Sequence, residues 1–186
     1  MNTVQPIRDK KKIEAMKKIL RGDKDNGMRN YILFSLGINT GLRISDILKL
    51  NAGDVIGKDH ITLIEQKTDK TKRFPLNKAL QKDLSAYIKD NNMELVNILF
   101  PSRKGTNKPI TRIQAYRIIR DAAIAVEIDE IGTHTLRKTF GYHFYKKYHD
   151  VVLLQEIFNH SSPAITLRYI GINDDQIKDS IDNFYL

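Results

Sequence analysis

The 186 residues contain no cysteine and no tryptophan. Without cysteine there is no disulfide framework, no thiolate nucleophile and no cysteine-ligated zinc. Only five prolines and ten glycines occur, and they form no linker-like tract; neither an internal repeat nor a low-complexity segment is visible. One domain over residues 1–186 is therefore expected. No apolar run approaches the ~20 residues that a membrane-spanning helix needs. The opening Met1-Asn2-Thr3-Val4-Gln5-Pro6 lacks the apolar core of a secretory signal. These absences point to a cytoplasmic protein without a membrane partner.

What the chain does have is positive charge. Lysine and arginine total 31 against 22 aspartate and glutamate, a net charge of +9. Such a balance favours a polyanionic partner, because lysines and arginines release the counterions condensed on nucleic acid. A hydrophobic content of 41% is enough for one well-buried core.

Periodicity divides the chain into helices and one hairpin. Asp9 is placed to cap a helix carrying Ile13, Met16, Ile19 and Leu20, stopped near Gly22. A second helix, roughly Met28 to Asn39, is apolar over much of its circumference and should be central. Gly41 ends it, and Ser45-Asp46 opens a short helix bearing Ile47, Leu48 and Leu50. His60-Ile61-Thr62-Leu63-Ile64-Glu65 reads as a strand, with Gln66 to Thr71 as a hairpin tip and Lys72-Arg73-Phe74-Pro75 returning. Asn77 caps a helix to about Asp90, and Phe100 to Asn107 form a basic loop. Thr111 starts a helix with Ile113, Tyr116, Ile119, Ala123 and Val126. Thr133 precedes a helix to about Lys147, and Asp150 starts the next, with Val152, Leu153 and Ile157 inward. Asn159 sits where a left-handed residue is common, and Ser162-Pro163 is a cap followed by a first-turn proline. Near the end, Ile177, Ile181 and Phe184 fall at helical spacing, with Asn173 as a candidate cap. The expected class is mainly α with a small antiparallel β-sheet.

Three short runs carry chemistry: Thr40-Gly41-Leu42-Arg43-Ile44-Ser45-Asp46, His134-Thr135-Leu136-Arg137, and Phe158-Asn159-His160-Ser161-Ser162 followed by Tyr169. Each has an ordinary explanation alone. Arg43 suits a surface ion pair, His134 and Arg137 a solvated helix face, and His160 a helix cap. Tyr169 suits a core tyrosine with a bonded hydroxyl. In combination they supply Arg, His, Arg, His and Tyr in that order. That set suits attack on a phosphodiester by a phenol, with cations holding the transition-state charge. A tyrosine of ordinary pKa, ~10, is almost wholly protonated at neutral pH, so it needs a nearby base and cations that favour the phenolate.

The runs resemble the tyrosine recombinase, or phage-type integrase, catalytic domain. That family carries T-G-L-R-x-S-E/D, then H-x-L-R, then L-G-H-S-S with a tyrosine nine residues after its histidine. The resemblance implies that family's catalytic-domain fold and a site-specific DNA recombinase working through a 3′-phosphotyrosine intermediate. It assigns Tyr169 as nucleophile, Arg43 and Arg137 as the phosphate clamp, and His160 as donor to a non-bridging oxygen. His134 would manage the tyrosine proton, and Lys67 would match the family's mobile lysine acid. Lys70 and Lys72 on the same tip, with Arg103 and Lys104 on the basic loop, are the candidate DNA contacts. No carboxylate cluster of the kind that holds magnesium is evident, so neither metal nor ATP is expected. The implied partner is double-stranded DNA, bound by four protomers acting in pairs, with a monomer in its absence and accessory DNA-bending proteins compatible with the scheme.

Departures from the pattern are few. Asn159 stands for the usual glycine, Lys138 where many members have histidine, and Ile170-Gly171 where some carry a further histidine. Relatives also have an N-terminal helical domain that closes a clamp around DNA, whereas this sequence starts at the catalytic domain. Weak DNA affinity is therefore expected. Two other readings stay open at this point: a type IB topoisomerase-like activity, which shares the chemistry but religates the same strand, and a catalytically idle DNA-binding regulator.

Overall fold

The computed structural model describes residues 4–64, 71–132, 134–182 and 184. In chain order these form α1 (Lys10–Arg21), α2 (Gly27–Thr40), α3 (Ile44–Ile47), a 3-10 turn (Ala52–Asp54), β1 (His60–Ile64) and β2 (Thr71–Pro75). Then follow α4 (Lys78–Asp90), α5 (Arg112–Ile124), α6 (Thr135–Tyr148), α7 (Val151–Phe158), α8 (Pro163–Tyr169) and α9 (Ile172–Asp182). The expected class, mainly α with one small antiparallel sheet, is the observed one. None of the described helices is long and apolar enough to cross a membrane.

Local chemistry sets the helix starts. The Asp9, Asn77, Thr111, Asp150 and Ser162 side chains each accept a backbone N–H from the first turn they cap. Each satisfies a donor that the helix geometry would otherwise leave unpaired. Helix α2 is buried on almost every side, with Ile32, Leu33, Phe34 and Leu36 fully enclosed. It packs against α1, α4 and α6 and is the axis of the main core. Gly37 makes the α2–α6 contact close, since an added Cβ there would lie 2.6 Å from the Leu136 side chain.

A second, smaller apolar cluster holds the last third together. Tyr142 of α6, Leu154 and Phe158 of α7, and Ile170 and Ile172 around the α8–α9 junction form it. Gly141 permits this contact: a Cβ there would meet Ile170 at 2.6 Å and Phe158 at 2.8 Å. The N-terminal segment straps the outside of the cluster. Ile7 N–H donates to Thr139 Oγ1 at 2.9 Å, Lys138 Nζ donates to the Val4 carbonyl at 2.7 Å, and Arg8 pairs with Asp175 at 2.7 Å.

The structure revises several sequence expectations. Helix α3 begins at Ile44, one residue before Ser45, with Arg43 in its N-cap position. In α7 the inward residues are Leu154 and Phe158, while Val152 and Leu153 are exposed. Apolar residues occupy most of that helix, so periodicity alone does not select a face. Ile19 and Ile113, placed on apolar faces by spacing, are 40% and 65% exposed. Asn173 lies inside α9 rather than capping it, because the helix starts at Ile172.

Candidate active site

Arg43 leaves the chain from a rigid corner. Helix α2 stops where Gly41 adopts φ 67°, ψ 16°, a left-handed conformation that glycine enters without Cβ strain. An added Cβ would also strike the Phe140 ring at 2.4 Å, so close packing and backbone geometry both call for glycine. The next side chain, Leu42, is buried and anchors the corner, leaving Arg43 exposed. The Arg43 carbonyl accepts N–H bonds from Asp46 and Ile47, and its side chain caps nothing.

Arg137 is the opposite kind of arginine. It is only 5% exposed and donates to the Gly41 carbonyl at 2.5 Å and the Phe158 carbonyl at 2.9 Å. Its guanidinium also lies 4.2 Å from the Phe158 ring centroid. One side chain thus joins the end of α2, two residues before Arg43, to the end of α7, two residues before His160. A guanidinium has five N–H donors, so this tie leaves others for an anionic ligand. Burial, the largest influence, lowers its pKa to about 10, which still leaves it cationic at neutral pH.

His160 lies just before α8, and Tyr169 is its last residue. Asn159 takes φ 54°, ψ 48°, the left-handed turn expected of a residue in the usual glycine position. His160 Nδ1 lies 3.0 Å from Thr166 Oγ1. The Tyr169 ring meets the His160 and Phe158 rings edge-on, at centroid distances of 5.1 and 5.6 Å. Its hydroxyl lies 3.2 Å from Nδ1 of His134, the residue immediately before α6. Lys138 Nζ sits 5.3 Å from the Tyr169 ring centroid.

The electrostatics follow from burial beside fixed cations. Burial raises the Tyr169 pKa, and the Arg137 and Arg43 charges oppose that rise. Burial lowers the pKa of both His134 and His160, helped by Arg137 and Arg43. At neutral pH the site therefore holds a protonated phenol, two neutral imidazoles and two cations. A neutral His134 can take the phenolic proton, and the arginines favour the phenolate and any anion it attacks.

A cleft of about 670 Å³ adjoins the two arginines: Arg43, Ser45, Lys49, Lys72, Arg137 and Asn159 are among its lining residues, whereas His134, His160 and Tyr169 are not. Lys72 reaches it by strand alternation. It pairs with Leu63 as Phe74 pairs with Ile61, so Lys72 lies on the inward face of the hairpin. Its Nζ donates to the Glu156 carbonyl at 2.6 Å. Arg103 and Lys104 do not line this cleft; Arg103 pairs with Asp25 at 2.5 Å on the far turn. Lys67 and Lys70 fall outside the described residues. Among the described residues no group of three or more histidine, aspartate or glutamate side chains could hold a metal ion.

Two residues of the site were not read from the sequence. Lys49 follows Arg43 by six residues with no motif to mark it, and only the cleft reveals it. Thr166 carries no signal in the sequence, yet it is fully buried with its Oγ1 3.0 Å from His160 Nδ1.

Comparison with known proteins agrees with this geometry. The model of the Phage integrase family matches residues 9–176. A probable integrase/recombinase, YoeC, of Bacillus subtilis (strain 168) is 51% identical over 94% of this chain and 93% of its own length. Tyrosine recombinase XerH of Campylobacter jejuni is 31% identical over 83% of this chain but only 44% of its own length. The chain thus spans nearly all of one relative and about half of the other. Among solved structures, the XerH site-specific recombinase bound to palindromic difH substrate in a post-cleavage complex shares the fold, with a TM-score of 0.75 at 20% identity, covering 98% of this chain and 54% of that one. The motif order, the convergence of Arg43, His134, Arg137, His160 and Tyr169, and these matches lead to one conclusion: the chain belongs to the phage integrase family of tyrosine recombinases.

Proposed function

We propose that this chain is a catalytic domain that breaks and rejoins double-stranded DNA by transferring a phosphodiester to Tyr169 and then to another strand. The Tyr169 oxygen attacks the scissile phosphorus as His134 takes the phenolic proton. The bond to the 5′ oxygen breaks, and that oxygen leaves as a hydroxyl after accepting a proton from Lys67. A 3′-phosphotyrosine remains. Attack by the 5′-hydroxyl of a second strand reverses the sequence, so the phosphodiester bond energy is retained and ATP has no role. Arg43 and Arg137 hold the non-bridging oxygens, as His160 does through a ring N–H; forked arginine–phosphate bonds suit this work. Lys70, Lys72, Arg103 and Lys104 contact the DNA backbone. Four protomers act in pairs in the cytoplasm, with the exposed apolar side of α9 seated on a neighbouring protomer.

One observation carries the reading: Tyr169 Oη lies 3.2 Å from the nitrogen of a histidine whose pKa is depressed, in a site with two arginines. The test is a nicked duplex that traps the cleaved strand. The parent should form a protein–DNA adduct on denaturing gels, with or without EDTA, and Tyr169→Phe should form none while still binding DNA. An adduct in the Phe variant would move the nucleophile elsewhere. Relaxation of supercoiled plasmid without strand exchange would instead favour the topoisomerase reading.

A further inference from the structure

A histidine that must donate to a phosphate oxygen faces a choice that its position does not settle. In the neutral ring only one nitrogen carries a proton, and the hydrogen bond at the other nitrogen decides which. The site keeps His160 in that neutral form, since burial and then Arg137, Arg43 and Lys72 all lower its pKa. Among the described residues the groups around it are Tyr169 on α8, Arg137 on α6, Arg43 at the α2–α3 corner and Lys72 on β2, with no carboxylate among them to favour the imidazolium.

The Nδ1 partner is Thr166. Its Oγ1 lies 3.0 Å from Nδ1 and 3.3 Å from the Ser162 carbonyl. That carbonyl already accepts the Thr166 backbone N–H at 3.3 Å. Thr166 has no solvent exposure, so water does not compete for its hydroxyl. The single hydroxyl proton can go to either acceptor. If it went to Ser162, the ring would have to donate from Nδ1, and a bare lone pair on Nε2 would meet the phosphate. If it goes to Nδ1, the shorter contact, the ring proton sits on Nε2. The ring is meanwhile held in place by the Gln155 pairings to the His160 backbone, both 3.1 Å, and by the Phe158 ring at 5.3 Å.

We propose that Thr166 is a positioning residue for His160: its hydroxyl donates to Nδ1 and so holds the imidazole in the tautomer that carries its proton on Nε2, the nitrogen left to donate to the scissile phosphate. This rests on the strand-transfer role of His160 proposed above.

The test uses the full chain with Thr166→Val, which keeps shape and removes the donor, Thr166→Ser, which restores it, and His160→Ala. Ring ¹⁵N spectra of the parent should show the proton on Nε2. Cleavage of the nicked duplex by Thr166→Val should fall roughly tenfold at neutral pH, the low end of what losing an orienting partner costs a functional histidine, and Thr166→Ser should recover most of it. The Val deficit relative to parent should shrink as pH drops below about 6.5, because the imidazolium carries a proton on both nitrogens. A parent ring protonated on Nδ1, an undiminished Thr166→Val rate, or a Val deficit that does not change with pH would each overturn the proposal. An impaired His160→Ala beside an undiminished Thr166→Val would overturn the threonine role alone. An undiminished His160→Ala would overturn the role of His160 itself.

Discussion

At the scale of single residues, the two arginines of the site have different duties despite their shared motif chemistry. Arg43 stands exposed on a corner fixed by Gly41 and Leu42, whereas Arg137 is 5% exposed and bonds two backbone carbonyls from separate elements. Either arginine replaced by alanine should slow single-turnover cleavage by at least ~10²–10³-fold, the usual effect of losing a donor to transition-state charge. Stability should separate them. Arg137→Ala leaves the Gly41 and Phe158 carbonyls short of a donor in a buried place and should cost about 2 kcal/mol or more. Arg43→Ala should cost within about 0.5 kcal/mol, as exposed substitutions usually do. Thermal melts of both variants check this, and a large loss for Arg43→Ala would refute it. The sequence singled out both arginines through their motifs, but it could not tell the exposed one from the buried tie.

At the scale of elements, Tyr169, the proposed nucleophile, rides on a part of the fold with a small core of its own. Helices α7, α8 and α9 gather on a small cluster of their own, joined to the main core through α6, and elements with few buried contacts open at lower free energy. Helix α9 goes further, exposing Ile177 and Ile181 at 63% and 64%, with Phe184 beyond it at 64%. Its first turn is held to its own chain by Arg8–Asp175, so the anchored and exposed portions are distinct. Ile177→Asp with Ile181→Asp should therefore leave the melting temperature near that of the parent, while weakening assembly of protomers on DNA. Sedimentation of DNA-bound complexes and a thermal melt check both halves. A collapse in stability would mean that these residues serve their own core. Spacing made the α9 stripe visible in the sequence. In α7 the same method chose Val152 and Leu153 over Leu154, because apolar residues at almost every position leave no contrast for periodicity to detect.

At the scale of the whole molecule, burial beside a surplus of cations sets the response to pH. His134, His143 and His160 all have pKa values lowered from 6.5, with burial the largest cause for each. Below the unfolded value the unfolded chain binds protons that the folded chain resists, so stability rises with pH through this window and falls on acidification. The melting temperature should drop as pH is taken from neutral to below about 6.5. A flat profile would count against neutral, buried imidazoles. The net charge of +9 should also make DNA binding steeply dependent on salt. Lys72→Gln, in the cleft lining, should reduce the slope of log affinity against log salt by about one. Equal reductions at Arg103 and Lys104 would extend the DNA path to that far turn, and no change at Lys72 would remove it from the DNA interface.

The sequence by itself determined the class of fold, most helix starts and the membership of the proposed reacting set. Caps, glycines and prolines act over a few residues, and the three motifs keep their chemistry in their local order. Only the tertiary structure decided which partners those residues meet. His134 and Tyr169 are 35 residues apart, and Arg137 bonds carbonyls 96 and 21 residues away. Such contacts depend on how helices pack, through close approaches at Gly37 and Gly141 that no local pattern encodes. Thr166 shows the same limit: a threonine in a short helix is unremarkable until packing buries it and brings its hydroxyl to His160.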